Sequence, residues 1–200
     1  MSETRIVRIS GSLAEASPMR NAALYELVRV GERGLLGEVI RLAGDLGTVQ
    51  VYEDTTGLRV GEPLALSGRP LMIHLGPGLL GAVVDGVGRP LGRIADAVGD
   101  FIEPGVVAET LDSARRWGFA PAVRPGDRVA GGDVLGTVEE RAGVEHRVLV
   151  PPLLAGAVAE ITGGEFTVVE PVGKLADGTP LRLAHSWPVR EPRPARRRSW

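Results

Sequence analysis

Cysteine is absent from the 200 residues, which excludes disulfides, thiolate nucleophiles and cysteine-based metal sites together. That absence fits a reducing compartment. No run of about 18 apolar residues free of charge occurs, so membrane association would have to come through partners. Residues 1–10 alternate charged and apolar side chains and lack the continuous apolar core of a signal peptide. Neither sign of charge dominates: the formal net charge is -2, and nucleic-acid binding normally leaves a marked cationic excess. Aromatic residues make up only 4% of the chain, and Trp117, Trp187 and Trp200 are too scattered for a base-stacking platform. Trp117 and Trp187 read as core or interface anchors. Lysine is almost missing too, with Lys174 alone against many arginines.

The most consequential absence is a phosphate cradle. A P-loop enzyme needs a glycine-rich loop of backbone N–H donors followed by Lys and Ser or Thr for phosphates and magnesium. The only Gly-Lys pair is Gly173-Lys174; Leu175 follows it, and Val168 stands where the first glycine would be needed. Lys174 is therefore expected in a turn. Gly76-Pro77-Gly78 and Gly86-Val87-Gly88 lack the third glycine and preceding parallel strand of a dinucleotide loop, and read as structural turns. His74, His146 and His185 lie dozens of residues apart with no second ligand at metal-binding spacing, and His74 reads as a barrel-wall residue. Glu139-Glu140 and Glu53-Asp54 are adjacent carboxylates. Neighbours on a strand point to opposite faces, so they cannot form a catalytic pair and read as solvated charges. No catalytic, cofactor-binding or metal-binding residue is assigned.

What is present is glycine (28) and proline (15), with turn signals every eight to twelve residues, the mark of many short strands. Residues 4–9, 24–30, 35–42, 48–52, 63–66 and 71–75 read as strands, and residues 43–47 as a hairpin loop whose glycines take positive φ. Six short strands in so short a stretch predict a closed barrel, which leaves no exposed edge. The chain is accordingly predicted to be mainly β, with a six-stranded barrel over residues 1–75 and a connector with short helices over 76–109. A second antiparallel β domain over 110–188 and a Pro/Arg-rich tail over 189–200 follow. Leu79, Leu80, Val83 and Val84 suggest one helical turn in the connector, and Ile94 and Val98 another. The arginines at 193 and 196–198 read as a solvated terminus.

VRVGERGLLGEVIRL (residues 28–42), VQVYEDTTGL (49–58), VGEP (60–63), LGPGLL (75–80) and DGVGRPL (85–91) occur in order. Together they resemble the N-terminal barrel of rotary ATPase head subunits. WGFAP (117–121), residues 126–138, VPP (150–152), GEFTV (164–168), LADG (175–178) and WPVR (187–190) are similar to the inserted β domain, called the bulge or non-homologous region, of V/A-type catalytic A subunits. F-type subunits lack that insertion. Gly88 departs from the glutamine of V/A-type A subunits and is like the F-type and export-apparatus relatives.

The resemblance implies a ring with neighbouring A and B subunits and an insertion facing the peripheral stalk. It further implies a cytoplasmic location peripheral to the membrane, and a parent activity of ATP synthesis or hydrolysis coupled to proton or sodium movement. ATP or ADP with Mg would be bound by the nucleotide-binding domain of the parent subunit, whose P-loop and catalytic glutamate do not occur within these 200 residues. The chain alone is thus expected to be inert, with no cofactor of its own. A stand-alone truncated paralogue acting as a binding protein is the alternative. Residues 125–138 also resemble the hairpins of biotinyl and lipoyl domains, but no lysine precedes Lys174, which excludes covalent attachment there.

Overall fold

In a computed structural model, residues 3–92, 95 and 109–194 are described. The chain divides into two compact units, one drawn from Met1–Met72, Val84–Ala108 and Pro188–Arg190, the other from Ile73–Val83, Glu109–Trp187 and Glu191–Trp200.

The first unit holds β1 (Arg5–Ser10), β2 (Leu13–Ser17), β3 (Glu26–Val30), β4 (Leu35–Ala43), β5 (Leu46–Val51) and β6 (Leu64–Pro70). They pair antiparallel in the order β1-β2-β5-β4-β3-β6. Closure comes from the two ends of that order. Leu64 N–H donates to Thr4 O at 3.0 Å, Ile6 N–H to Glu62 O at 3.0 Å and Gly61 N–H to Ile6 O at 2.8 Å. The expected barrel is present, but its membership differs: β2, unforeseen, replaces residues 71–75. The short Leu-Ala-Glu-Ala-Ser run offers small alanines instead of the branched residues that mark strands, yet Ala14 and Ala16 are fully buried in the barrel interior.

Strict alternation on β3 and β5 turns Val28, Val30, Val49 and Val51 inward, where they meet Ile6, Met19, Leu35, Val39 and Leu64. The β4–β5 reversal is tighter than expected. Only Gly44, at φ 62°, needs the left-handed region. Gly47 already lies in β5, and a Cβ there would sit 2.2 Å from Met19 Sδ, so its role is to admit that buried side chain.

The second unit stacks two four-stranded sheets. One is ordered β11-β10-β8-β13, from β8 (Trp117–Pro121), β10 (Val134–Arg141), β11 (Val144–Leu149) and β13 (Gly164–Phe166). The other is ordered β15-β14-β12-β9, from β9 (Arg128–Ala130), β12 (Ala155–Ile161), β14 (Pro171–Leu175) and β15 (Pro180–Arg182). Trp117, Phe119, Leu135, Val138 and Val148 of the first sheet share one core with Val129, Val158, Val172, Leu175 and Leu181 of the second. This is the expected second antiparallel β domain, built as a sandwich. β7 (Met72–Leu75) pairs with β16 (His185–Pro188) in a separate two-stranded sheet, so His74 is an exposed residue outside the barrel and not part of its wall.

Residues 79–82 form a single hydrogen-bonded turn, Ala82 N–H to Leu79 O, where the apolar spacing suggested a helical turn; Gly78 and Gly81 at positive φ stop it from propagating. Residues 91, 92 and 95 are helical, while Ile94 and Val98 lie outside the described residues. Lys174 is the penultimate residue of β14, opposite Glu160, and not in a turn. Its neighbour Gly173 is needed for sheet contact: a Cβ there would fall 2.2 Å from Glu160 O and 2.9 Å from Ile161 Cα. Gly173→Ala is expected to destabilise the second unit by about 1–3 kcal/mol, read by urea unfolding; an unchanged midpoint would contradict this packing.

Candidate functional site

Strand register turns several carboxylates of this chain away from water, and each is met by donors from a distant stretch of sequence. On β10, Gly136 and Val138 face inward, and Glu140 continues that series, leaving Glu139 outside. The opposite-face expectation holds, but Glu140 is buried and not solvated. Its Oε1 accepts the Gly78 N–H at 2.7 Å and the Leu80 N–H at 3.1 Å, and its Oε2 lies 3.3 Å from His146 Nδ1. Arg141, next in sequence, donates to Leu80 O. The Gly76-Pro77-Gly78 turn and Leu80 just beyond it thus each present one backbone N–H to an anion, but the anion is the protein's own Glu140.

Glu53 is the second correction. Its side chain is 9% exposed: Oε1 accepts Arg89 Nη1 at 2.9 Å and Oε2 accepts the Leu36 N–H at 2.7 Å. Arg89 also donates Nε to Asp85 Oδ2 at 2.7 Å. Asp85 closes its own turn by accepting the Val87 and Arg89 N–H groups, which makes Gly86-Val87-Gly88 a carboxylate-capped turn. Burial opposes ionisation of Asp85, yet the Arg89 backbone and guanidinium donors hold its carboxyl below the ordinary value. Asp54 is exposed, as expected, and accepts from Thr56. Glu26 accepts the Ala23 N–H at 2.8 Å and the Gly68 N–H at 2.6 Å, tying the entry to β3 to the end of β6 beside it.

The most enclosed of these groups is Glu38, whose side chain is 1% exposed. Val39 beside it faces the barrel interior, so Glu38 faces outward, and what covers it is Arg190. Arg190 donates Nε to Oε1 at 2.7 Å and Nη2 to Oε2, a bidentate pair across 152 residues of sequence. Both residues fall within stretches that carry the resemblance, residues 28–42 and 187–190, but nothing in the sequence pairs them. An outward Glu on an alternating strand looks solvated until the chain that crosses it is known.

Lys174 Nζ is 2.8 Å from Glu160 at the rim of an open cavity of about 430 Å3. Among the described residues no three His, Asp or Glu side chains converge as a metal site, and no helix is long and apolar enough to cross a membrane. These residues fit ATP with Mg poorly: Glu140 holds the Gly78 and Leu80 N–H groups, Asp85 holds those of Val87 and Arg89, and Glu160 holds the lysine.

The histidines do not meet as ligands. His146 and His185 line a largely apolar cavity of about 290 Å3 with Leu75, Leu79 and Leu149. Arg193, expected to be solvated, points a guanidinium nitrogen to within 2.7 Å of His185 Nε2 and lies over the Trp187 ring. An arginine can only donate, so Nε2 accepts and the imidazole is neutral. Burial, then the Arg193 charge, push the His185 pKa down to about 4. The unfolded chain binds this proton from near pH 6.5 and the folded one only near pH 4, so stability is expected to fall across that window on acidification. His185→Gln should flatten the loss, measured as thermal unfolding temperature against pH; an equal slope in both proteins would refute the assignment.

Comparison with known proteins follows the same division. Residues 6–66 match the family described as "ATP synthase alpha/beta family, beta-barrel domain", and residues 108–190 the "ATPsynthase alpha/beta subunit barrel-sandwich domain". The chain is 52% identical over 193 residues to the V-type ATP synthase alpha chain of Anaeromyxobacter dehalogenans, covering 96% of this chain and 33% of that protein. It is 47% identical to the A subunit of the A-type ATP synthase of Methanosarcina mazei, again over 96% of this chain and 33% of the other. The corresponding A-type protein of Thermococcus onnurineus is 47% identical over 97% of this chain and 34% of its own length. Among solved structures, the ATPase EscN of the enteropathogenic E. coli type III secretion system aligns at a TM-score of 0.43 and 27% identity, over 55% of this chain and 24% of that one. The chain thus spans about a third of the relatives it matches. With its barrel and its sandwich each matched in order, the chain belongs to the ATP synthase alpha/beta family and corresponds to the N-terminal third of V/A-type alpha/A subunits.

Proposed function

We propose that this chain supplies the assembly portion of a V/A-type rotary ATPase catalytic subunit. The barrel would take its place in a ring with neighbouring A and B subunits, and the sandwich would offer a surface to the peripheral stalk. The intact complex would couple ATP synthesis or hydrolysis to proton or sodium movement on the cytoplasmic side of a membrane, with ATP and Mg held by the rest of the subunit. The observation that carries this reading is identity near 50% along 96% of the chain to subunits of that complex. The geometry supports it physically. The Gly78, Leu80, Val87 and Arg89 N–H groups are already held by Glu140 and Asp85, which favours a contact-making role over stabilising the charge that develops in phosphoryl transfer.

Replacing the N-terminal third of the Methanosarcina mazei protein with this chain is expected to give a complex that assembles and hydrolyses ATP. A folded chimera that fails to enter the complex would overturn the proposal. The 200-residue chain by itself is expected to show no saturable ATP binding by calorimetry at millimolar nucleotide, and a stoichiometric isotherm would be the contrary result.

A further inference from the structure

The Glu38 pair has features that a surface ion pair lacks. The carboxylate is the floor of a pit, 1% exposed, while the Arg190 side chain that fills it is 52% exposed. Two tyrosines form the walls. The Arg190 guanidinium lies 4.9 Å from the centre of the Tyr25 ring, close enough for a cation–π contact. The Tyr52 phenol, half-covered on another side, is raised in pKa first by burial and then by the Glu38 carboxylate. Tyr25 sits at φ 66°, the one described residue other than glycine with positive φ. A bulky side chain in that region persists only where its surroundings over-determine it, and such residues gather at ligand clamps. Here Tyr25 is held by its N–H on Val39 O at 2.8 Å. One main-chain contact completes the recognition, Val189 N–H to Leu71 O at 2.9 Å.

A buried planar carboxylate met edge-on by two donors, with an aromatic face beside it, is selective for guanidinium. Ammonium is a point charge with no fork to match both oxygens and no plane to stack. The occupant is open to solvent on one side and is brought by a short segment of chain, so it is exchangeable in principle. We infer that Tyr25, Glu38 and Tyr52 form an arginine-side-chain receptor on the barrel, filled in cis by Arg190 and able to take another arginine-bearing ligand when Arg190 is absent. Its occupant anchors residues 188–190 to the barrel wall, and it keeps Glu38 from standing buried without a counter-charge.

The test uses the full chain carrying Arg190→Ala, with N-acetylarginine amide and N-acetyllysine amide as probes at equal ionic strength. The variant is expected to melt roughly 5–15 °C below the parent. Millimolar arginine amide should recover at least half of that loss, and lysine amide little. The same addition should shift amide resonances of Tyr25 and Glu38 in the 15N-labelled variant. The double variant Glu38→Gln with Arg190→Ala, in which the carboxylate is gone, should not respond. Equal recovery by both amides, recovery that persists in the double variant, or a single variant as stable as the parent would each overturn the inference. Should Arg190→Ala not fold unaided, refolding followed by circular dichroism decides: folding in arginine amide alone supports the receptor, and folding in both or in neither refutes it.

Discussion

A carboxylate removed from water must find donors or a counter-charge, because the desolvation of an ionised group is larger than most single contacts can offset. In this chain that requirement is met at Glu26, Glu38, Glu53 and Glu140, and in each case the partner comes from another stretch of sequence: Gly68, Arg190, Arg89 and Gly78 with Leu80. Hydrophobic packing forms the two cores, but it is indifferent to how loops lie over them. The buried carboxylates are not, since each draws its donors from one arrangement of the chain, although Glu140 Oε2 has no hydrogen-bond partner and faces only His146. They convert two apolar cores with glycine-rich connections into units with defined surfaces.

The same chemistry occupies backbone donors of the glycine turns. A turn rich in backbone N–H groups attracts anions whatever their source. At Gly76-Pro77-Gly78 and Gly86-Val87-Gly88 the anions are Glu140 and Asp85. The turns thus become fixed points of the fold, whose two domains match a β-barrel and a barrel-sandwich.

Much of the fold is legible along the chain. The alternation of Val28, Val30, Val49 and Val51, and the glycine turns between short apolar runs, announce a barrel and a second antiparallel β domain. The strand that escaped, Leu13–Ser17, did so because alanine carries no β signal and becomes a core residue only where the barrel is narrow enough to be filled by it. The candidate site was far less visible. Glu139-Glu140 and Glu53-Asp54 look alike as pairs, yet one member of each is enclosed. For Glu140 a signal existed, the inward register of Gly136 and Val138. For Glu53 and Glu38 there was none, because what covers them is folded against them from Arg89 and Arg190.

The order of polar, apolar and glycine residues by itself determined the strand-rich class, the two β units and the lack of a P-loop, since periodicity and loop chemistry are local properties of a chain. Only the tertiary structure decided which carboxylates are buried, which arginines neutralise them and that the sole lysine lies in a strand. The physical reason is range: a side chain's direction follows from its immediate neighbours, but its solvent exposure and its counter-ion depend on segments up to 152 residues away.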